Sequence, residues 1–432
     1  MGYGLAPTLR GFRLRFAMNV ILVVSLLTSC GQPSAVSDPA PTLKWWKGNL
    51  HTHSLWSDGD DYPEQVVHWY KSRGYHFLAI SDHNVLHEGD RFMDTSTRGG
   101  GEVLAAYKER FPDWVMEKEE GGAHLVQLRT LEEYRPLFEE PGAFLLFSGE
   151  EISDRFDGKP IHVNATNIVE LIGAQGGDSV RDVMQNNVDA VLEQRERTGQ
   201  LMFPHINHPN FGWAIKVEDL IALKGDKFFE VYNGHPQVHN EGDDARPSTA
   251  RMWDIALAER LSAGLPIMYG LTVDDAHFYY DFDGEHANPG RGWVMVRAAE
   301  LATDAIILAL EAGEFYGSSG VTLDDVQLTS DTLSLVIQEE NGIDYVTQFI
   351  GTRRGYDRTT EEIHAEDASV LFRYSETIGE VLATVEGALP SYTFRGDELY
   401  VRAKVVSSKL KNNPYKKGEY ESAWVQPVVI DP

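Results

Sequence analysis

The chain has one cysteine in 432 residues, Cys30. A lone thiol has no internal disulfide partner, so the fold is held without cross-links. Positive charge is also scarce. Lys and Arg number 38 against 66 Asp and Glu, giving a formal charge of -28 at pH 7. Such a surface repels polyanions, which excludes nucleic acid as a partner and means that an anionic substrate needs a local positive site. No Gly-x-Ser-x-Gly elbow and no phosphate-cradling GxxxxGKS/T loop occurs, and no nucleophilic side chain is implied. The N-terminal apolar run, residues 17–27, is too short to span a bilayer comfortably.

That run follows Arg10, Arg13 and Arg15, the layout of a signal peptide. It ends in Leu27-Thr28-Ser29-Cys30, which resembles the lipobox of bacterial lipoproteins. The resemblance implies cleavage before Cys30 and lipidation of its thiol. Gly31 after it, rather than aspartate, leans towards the outer membrane. The expected location is therefore the bacterial cell envelope, lipid-anchored and facing the periplasm. Residues 1–29 are read as signal peptide and 30–44 as a flexible tether rich in Pro, Ser and Ala.

From Trp45 to about Gly320, short apolar runs alternate with helical stretches. The runs are 46–50, 76–80, 143–147, 161–163, 201–204, 228–231 and 267–271. Helical candidates between them include 63–73, 179–197 and 250–263. Strand-then-helix repetition predicts a parallel sheet covered by helices, open or closed into a barrel. Residues 84–142 read as an insertion over one end of the sheet, a candidate lid. After Gly320 the pattern changes to alternation: Leu333, Leu335 and Ile337, then Leu399, Val401, Ala403 and Val405. Asn341-Gly342 is a two-residue hairpin signal. Residues 321–432 are expected to form a small antiparallel β domain outside the catalytic cluster.

Histidines and carboxylates gather at the ends of the runs: His51 and His53, Asp82 and His83, Glu150 and Glu151, His162 within the fourth run, His205 and His208, Glu230, then Asp274, Asp275 and His277. In α/β sheets and barrels that end of the strands is the active-site face. Residues i and i+2 of a strand share a side, so His51 and His53 can grip one ion, and Asp275 and His277 can face one cavity. Imidazole and carboxylate suit zinc, manganese or iron, and the supply exceeds what one tetrahedral ion needs. Two or three divalent ions are expected.

The motifs HTHSLWSDG, SDHN, SGEEIS, the lone His162, NHP and DDAH, in that order, resemble the PHP (polymerase and histidinol phosphatase) superfamily of metal-dependent phosphoesterases. They cover residues 45–320, about two thirds of the chain. The resemblance implies an α/β fold, a distorted seven-stranded (β/α) barrel, with the antiparallel β domain after it. It places metal ligation on His51, His53, Asp58, His83, Glu151, His162, His208, Asp275 and His277. Asp58 stands where some members have a histidine. One ion is expected among His51, His53, Glu151 and Asp275, with Glu151 bridging to a second held by His162 and His208; Asp58, His83 and His277 would hold a third. The family's Gly-x-Glu spacing selects Glu151 over Glu150, and its His-Pro pattern selects His208, leaving His205 structural or behind the ligands. Asp82 either orients a ligating imidazole or caps a turn.

Clustered metals imply hydrolysis with metal-bound hydroxide as the nucleophile. Glu151 and Asp275 are the expected catalytic carboxylates. Arg291, in the glycine-rich Pro289-Gly290-Arg291-Gly292 loop, is the candidate phosphate clamp. Arg91, Arg98 and Lys108 of the insertion are weaker candidates for substrate contact. The leading expectation is a hydrolase of small phosphate mono- or diesters. A hydrolase of carbon esters, amides or carbamates is the alternative, and a non-catalytic metal- or ligand-binding lipoprotein is a second one.

Overall fold

The apolar runs become seven strands: β1 (Lys44–Asn49), β2 (Phe77–Ile80), β3 (Leu145–Phe156), β4 (Lys159–Thr166), β5 (Phe203–Ile206), β6 (Phe228–Asn233) and β7 (Tyr269–Val273). The computed structural model describes residues 42–282, 284–366 and 369–430. The expected signal peptide, Cys30 and most of the tether lie outside the described residues. Six later strands continue the same sheet: β8 (Trp293–Ala298), β9 (Phe315–Ser318), β10 (Tyr345–Arg353), β11 (Glu380–Glu386), β12 (Glu398–Leu410) and β13 (Tyr420–Val429). The thirteen strands lie in the order β7-β6-β5-β4-β3-β2-β1-β8-β9-β13-β12-β10-β11. Smaller antiparallel sheets accompany it, so the fold is mixed α/β.

The expected parallel sheet is interrupted. β1, β2 and β3 pair in parallel, as do β5, β6 and β7, but β4 runs antiparallel to both β3 and β5. The cause is local. Asp157 (φ 49°) and Gly158 (φ 76°) are both left-handed, the conformation a two-residue Asp-Gly hairpin needs. The turn sends β4 straight back along β3, with Phe156 opposite Lys159. His162 therefore lies near the start of its strand. The chain just past β1 also meets the chain just past β7: Thr52 and Ala276 form a parallel bridge, and the His53 N–H donates to the Ala276 carbonyl.

Helices form where capping permits. α1 (Pro63–Lys71) opens on a proline, which lacks only an N–H that the first turn leaves unused. α2 (Val180–Thr198) is capped by the Ser179 side chain and ends on Gly199 at φ 71°. α3 (Thr249–Ser262) is capped by Ser248. Val183, Val188 and Val191 of α2 and Met252, Trp253 and Ile255 of α3 pack with Ile206 and Phe229 in one buried cluster. On the other face, Trp46, Phe77, Phe147, Phe203, Phe228 and Leu271 meet in a second.

The insertion has structure of its own. Arg91–Asp94, Ala123–Leu128 and Glu117–Glu120 form a three-stranded antiparallel sheet, with helices over Gly101–Arg110 and Leu131–Phe138. Its apolar side packs on Leu55, Trp56 and Tyr62, behind the HTHSLWSDG segment.

One buried carboxyl gives the body a pH signature. Asp226 Oδ1 accepts the Phe228 N–H at 2.8 Å, and its other oxygen has no hydrogen-bond partner among the described residues. Burial pushes this carboxyl up to about 8. The folded state therefore holds a proton that the unfolded chain releases near pH 4, so stability falls as pH rises from there through about 8. Asp226→Asn should remove this slope, on the order of 5 kcal/mol of pH-dependent stability, in urea unfolding compared at pH about 5 and about 9. A variant with the wild-type slope would contradict the assignment.

Candidate metal centre

Four side chains meet at one point. His51 Nε2 and His53 Nε2 lie 3.1 Å apart. Each lies 3.2 Å from Glu151 Oε2 and 3.2 Å from Asp275 Oδ1. Nitrogen and oxygen ligands about 2.0 Å from a shared zinc ion sit about 3.3 Å apart along a tetrahedron's edge, so the spacings of His51 and His53 to each carboxylate are those of a coordinating set. Glu151 Oε2 is buried and has no hydrogen bond of good geometry among the described residues, though His51 Nε2, His53 Nε2 and His83 Nδ1 crowd it at 3.2, 3.2 and 3.0 Å. A carboxylate oxygen left so in the interior is costly unless a cation meets it. The donor set and this orphaned oxygen fit a divalent ion.

The other oxygen of Glu151 serves a different group. Oε1 lies 2.8 Å from His162 Nδ1 and 3.4 Å from His208 Nε2, and it accepts the Asn207 amide at 2.7 Å. Asp58 lies 3.4 Å from His83 Nε2 through one oxygen and 3.3 Å from His277 Nε2 through the other. The groups overlap more than the sequence suggested. His53 joins Asp58, His83 and His277; His83 also sits with Glu151 and His162; His208 sits with His51 and Asp275.

Two placements differ from the strand argument. β1 stops at Asn49 and β7 at Val273, so neither the His51–His53 pair nor the Asp275–His277 pair lies in its strand. Asp275 takes a left-handed φ of 52°, and its N–H donates to the His51 carbonyl at 3.1 Å. That strained backbone, rather than strand alternation, brings its carboxylate to the histidines. Gly59 closes the Asp58 loop: its N–H donates to the Ser54 carbonyl, and a Cβ there would stand 2.6 Å from Ser54 N.

Burial opposes charge here, but mutual attraction wins. It would lower His51, yet Asp275, Glu151 and Glu230 hold this imidazole well above its ordinary value. It would raise Glu151 and Asp275, yet the imidazoles around them hold both carboxyls well below theirs. The cluster is organised around positive charge, which divalent ions supply.

Glu230 was missed as a site residue. Its Oε1 lies 2.6 Å from His51 Nδ1 and 3.2 Å from His205 Nε2, while Oε2 accepts the His208 N–H at 2.7 Å and the Asn233 amide at 2.8 Å. Burial works against its charge, but His51 and His205 hold its carboxyl down to about 2. A carboxylate behind an imidazole fixes the ring's tautomer and aim. Its signal was a charged residue inside the apolar run 228–231. Glu230→Gln should weaken metal retention by roughly 10–100-fold, read as metal content after dialysis against a graded chelator. Unchanged retention would refute this role. His205, bonded to the same carboxylate, touches it from behind.

Several expected roles are not met. Arg291 is fully buried: Nη1 donates to the Gly234 carbonyl at 2.8 Å and Nη2 to Asn288 Oδ1 at 3.1 Å. Asp274 accepts the backbone N–H groups of Gly290, Arg291 and Gly292, which fixes the loop with its guanidinium inside. It does not line the metal cleft and cannot clamp a substrate there. Of the insertion's candidates, Arg91 lies against the Trp56 ring, Arg98 donates to the Ser57 and Gly59 carbonyls, and Lys108 pairs with Glu117. None lines the cleft, so the insertion buttresses the ligand loop from behind instead of covering the site. Of its two expected roles, Asp82 takes the turn cap: it accepts the Ser54 N–H and hydroxyl and the Ser57 hydroxyl, and its other near partner is His87 Nε2. Glu150 points the other way from Glu151 and accepts the Ile172 and Gly173 N–H groups.

A cleft of about 390 Å³ opens onto the ligands. Phe211, Phe278, His235 and Gln237 complete its walls, and among the described residues lining it there is no Lys or Arg. Burial pulls the His235 imidazole down to about 4.

No protein-family model matches the chain, and no curated protein does. Among solved structures it is similar to a two-domain protein from Bacteroides vulgatus ATCC 8482 that contains a predicted PHP-like metal-dependent phosphoesterase. The identity is 15% and the TM-score 0.39, covering 89% of this chain and 95% of that one. It is also similar to an amidohydrolase from Chromobacterium violaceum with bound sulfate and no metal, at 14% identity and a TM-score of 0.27, covering 54% and 88%. At such values the chemistry of this site rests on its own residues.

Proposed function

We propose that the protein is a metal-dependent hydrolase of the PHP kind that cleaves small phosphate mono- or diesters. The observation that carries this reading is Glu151, whose buried carboxylate turns one oxygen to His51, His53 and His83 and the other to His162 and His208. A carboxylate so placed can hold two ions at a fixed spacing. Divalent ions bound there supply Lewis acidity and lower the pKa of a coordinated water. The chain's own part is to hold the donors: Glu230 aims His51, and Asn207 steadies Glu151 from behind. We read residues 45–320 as a distorted barrel carrying this site and 321–432 as the β domain beside it. The cleft gives a substrate room at the ligands, which counts against mere metal storage.

A second reading, hydrolysis of carbon esters, amides or carbamates, is favoured by the lack of Lys and Arg in the cleft lining and the burial of Arg291. Metal analysis of purified protein, then a panel of phosphomonoester, phosphodiester and carboxylester substrates, tests both. Stoichiometric metal with phosphate-ester turnover supports the first, carbon-ester turnover alone the second, and protein that binds no divalent ion neither. The envelope location rests on Leu27-Thr28-Ser29-Cys30. Radioactive fatty acid should label the wild type and leave Cys30→Ser unlabelled; equal label would refute the anchor.

A further inference from the structure

His235 lines the metal cleft yet belongs to none of the candidate ligand groups. Its loop fixes the ring. The His235 N–H donates to Asn233 Oδ1 at 2.8 Å, and the Gln237 N–H donates to His235 Nδ1 at 3.1 Å. A backbone N–H can only donate, so Nδ1 is the accepting nitrogen and the neutral ring carries its proton on Nε2. Among the described residues no group accepts from that Nε2–H. Asn233 also donates to Glu230 and Asp275, which ties the loop to the ligands. The ring stands 5.5 Å from His277 and 6.0 Å from Phe211. Phe211 in turn packs against His208 at 5.0 Å. A neutral donor and an aromatic face thus flank the ligands.

Taking the phosphate-ester reading as premise, these walls distinguish two substrates. A monoester dianion spreads two negative charges over three terminal oxygens, and those not taken by metal call for guanidinium or ammonium donors. The lining offers none. A diester carries one negative charge, two uncharged ester oxygens and a second organic group. An uncharged oxygen suits a neutral donor, and an organic group suits an aromatic face. We propose that the cleft selects phosphodiesters over phosphomonoesters, with His235 donating from Nε2 to an uncharged ester oxygen and Phe211 carrying that ester's organic group.

The test uses the metal-loaded full chain with bis(p-nitrophenyl) phosphate, p-nitrophenyl phosphate and p-nitrophenyl acetate. For the wild type, kcat/KM for the diester should exceed that for the monoester by at least roughly tenfold. His235→Phe should raise the diester KM by roughly tenfold with bound metal unchanged, and His235→Gln, which keeps a neutral donor, should recover most of it. Binding of dimethyl phosphate, measured by calorimetry, should weaken in His235→Phe by a similar factor. Equal or faster monoester turnover, an unaltered KM in His235→Phe, or no recovery in His235→Gln would overturn the proposal and leave the hydrolase reading standing. No turnover of either phosphate ester by metal-loaded protein would overturn both.

Discussion

Glu151→Gln should lower turnover by at least roughly a thousandfold, about 4 kcal/mol of barrier, while the chain stays folded. The substitution keeps the shape of the side chain and removes its charge. Both oxygens are committed: Oε2 lies 3.2 Å from His51 Nε2 and His53 Nε2, and Oε1 lies 2.8 Å from His162 Nδ1. A neutral amide cannot bridge two cations, so one ion or the spacing of the pair is lost. Folding should suffer less, because the core is apolar on both faces of the sheet. Glu150→Gln is the control on the adjacent residue. Its carboxylate holds the Ile172 and Gly173 N–H groups, and an amide oxygen keeps one such bond. That variant should retain metal and lose activity at least roughly tenfold less. Turnover and metal content for both decide the matter. Metal lost from the Glu150 variant and kept by the Glu151 variant would reverse the assignment, and two unaffected variants would remove the metallohydrolase reading.

The sequence made the candidate ligands visible because most sit in short motifs at the ends of apolar runs, with His162 inside its run. HTH puts two imidazoles within three residues, and their Nε2 atoms do meet. What stayed hidden depends on distant partners. Glu230 looks like one charge in an apolar run, and its reason, His51, is 179 positions away. Arg291 looked like a loop arginine open to ligand. Its burial follows from Asp274 drawing three backbone N–H groups inward, from Gly234, where a Cβ would stand 2.8 Å from Arg291 Cβ, and from Lys411, which donates to the Arg291 carbonyl. The reversal of β4 was legible in principle, since Asp157-Gly158 is a hairpin turn. The rhythm of strand and helix elsewhere pointed to parallel pairing and masked it.

Asp254→Ala should cost about 4 kcal/mol of stability, the largest loss expected outside the metal centre. Asp254 of α3 and Arg402 of β12 form a buried two-pronged pair, with Nε to Oδ1 at 2.7 Å and Nη2 to Oδ2 at 2.6 Å. Tyr400 adds a hydrogen bond to Oδ1 at 2.9 Å, and the guanidinium lies over the Trp253 ring at 4.9 Å. Among the described residues Arg402 Nη1 is already without a hydrogen-bond partner. Removing the aspartate alone strands a guanidinium in the interior. Replacing both, as Asp254→Ala with Arg402→Met, removes the stranded charge and fills part of its space, so the double variant should be less destabilised than Asp254→Ala. The effect should reach the site as well. β12 runs into Lys411, whose buried ammonium donates to Tyr232 of β6 and to the Arg291 carbonyl, next to the Asp274–Asp275 turn. Loosening β12 therefore slackens the support under Asp275, and Asp254→Ala should retain metal less well than the double variant. Urea unfolding midpoints and metal content across the four proteins of the cycle measure both. Additive losses in stability, with no recovery in the double variant, would show that the pair is not coupled and that packing alone joins β12 to α3.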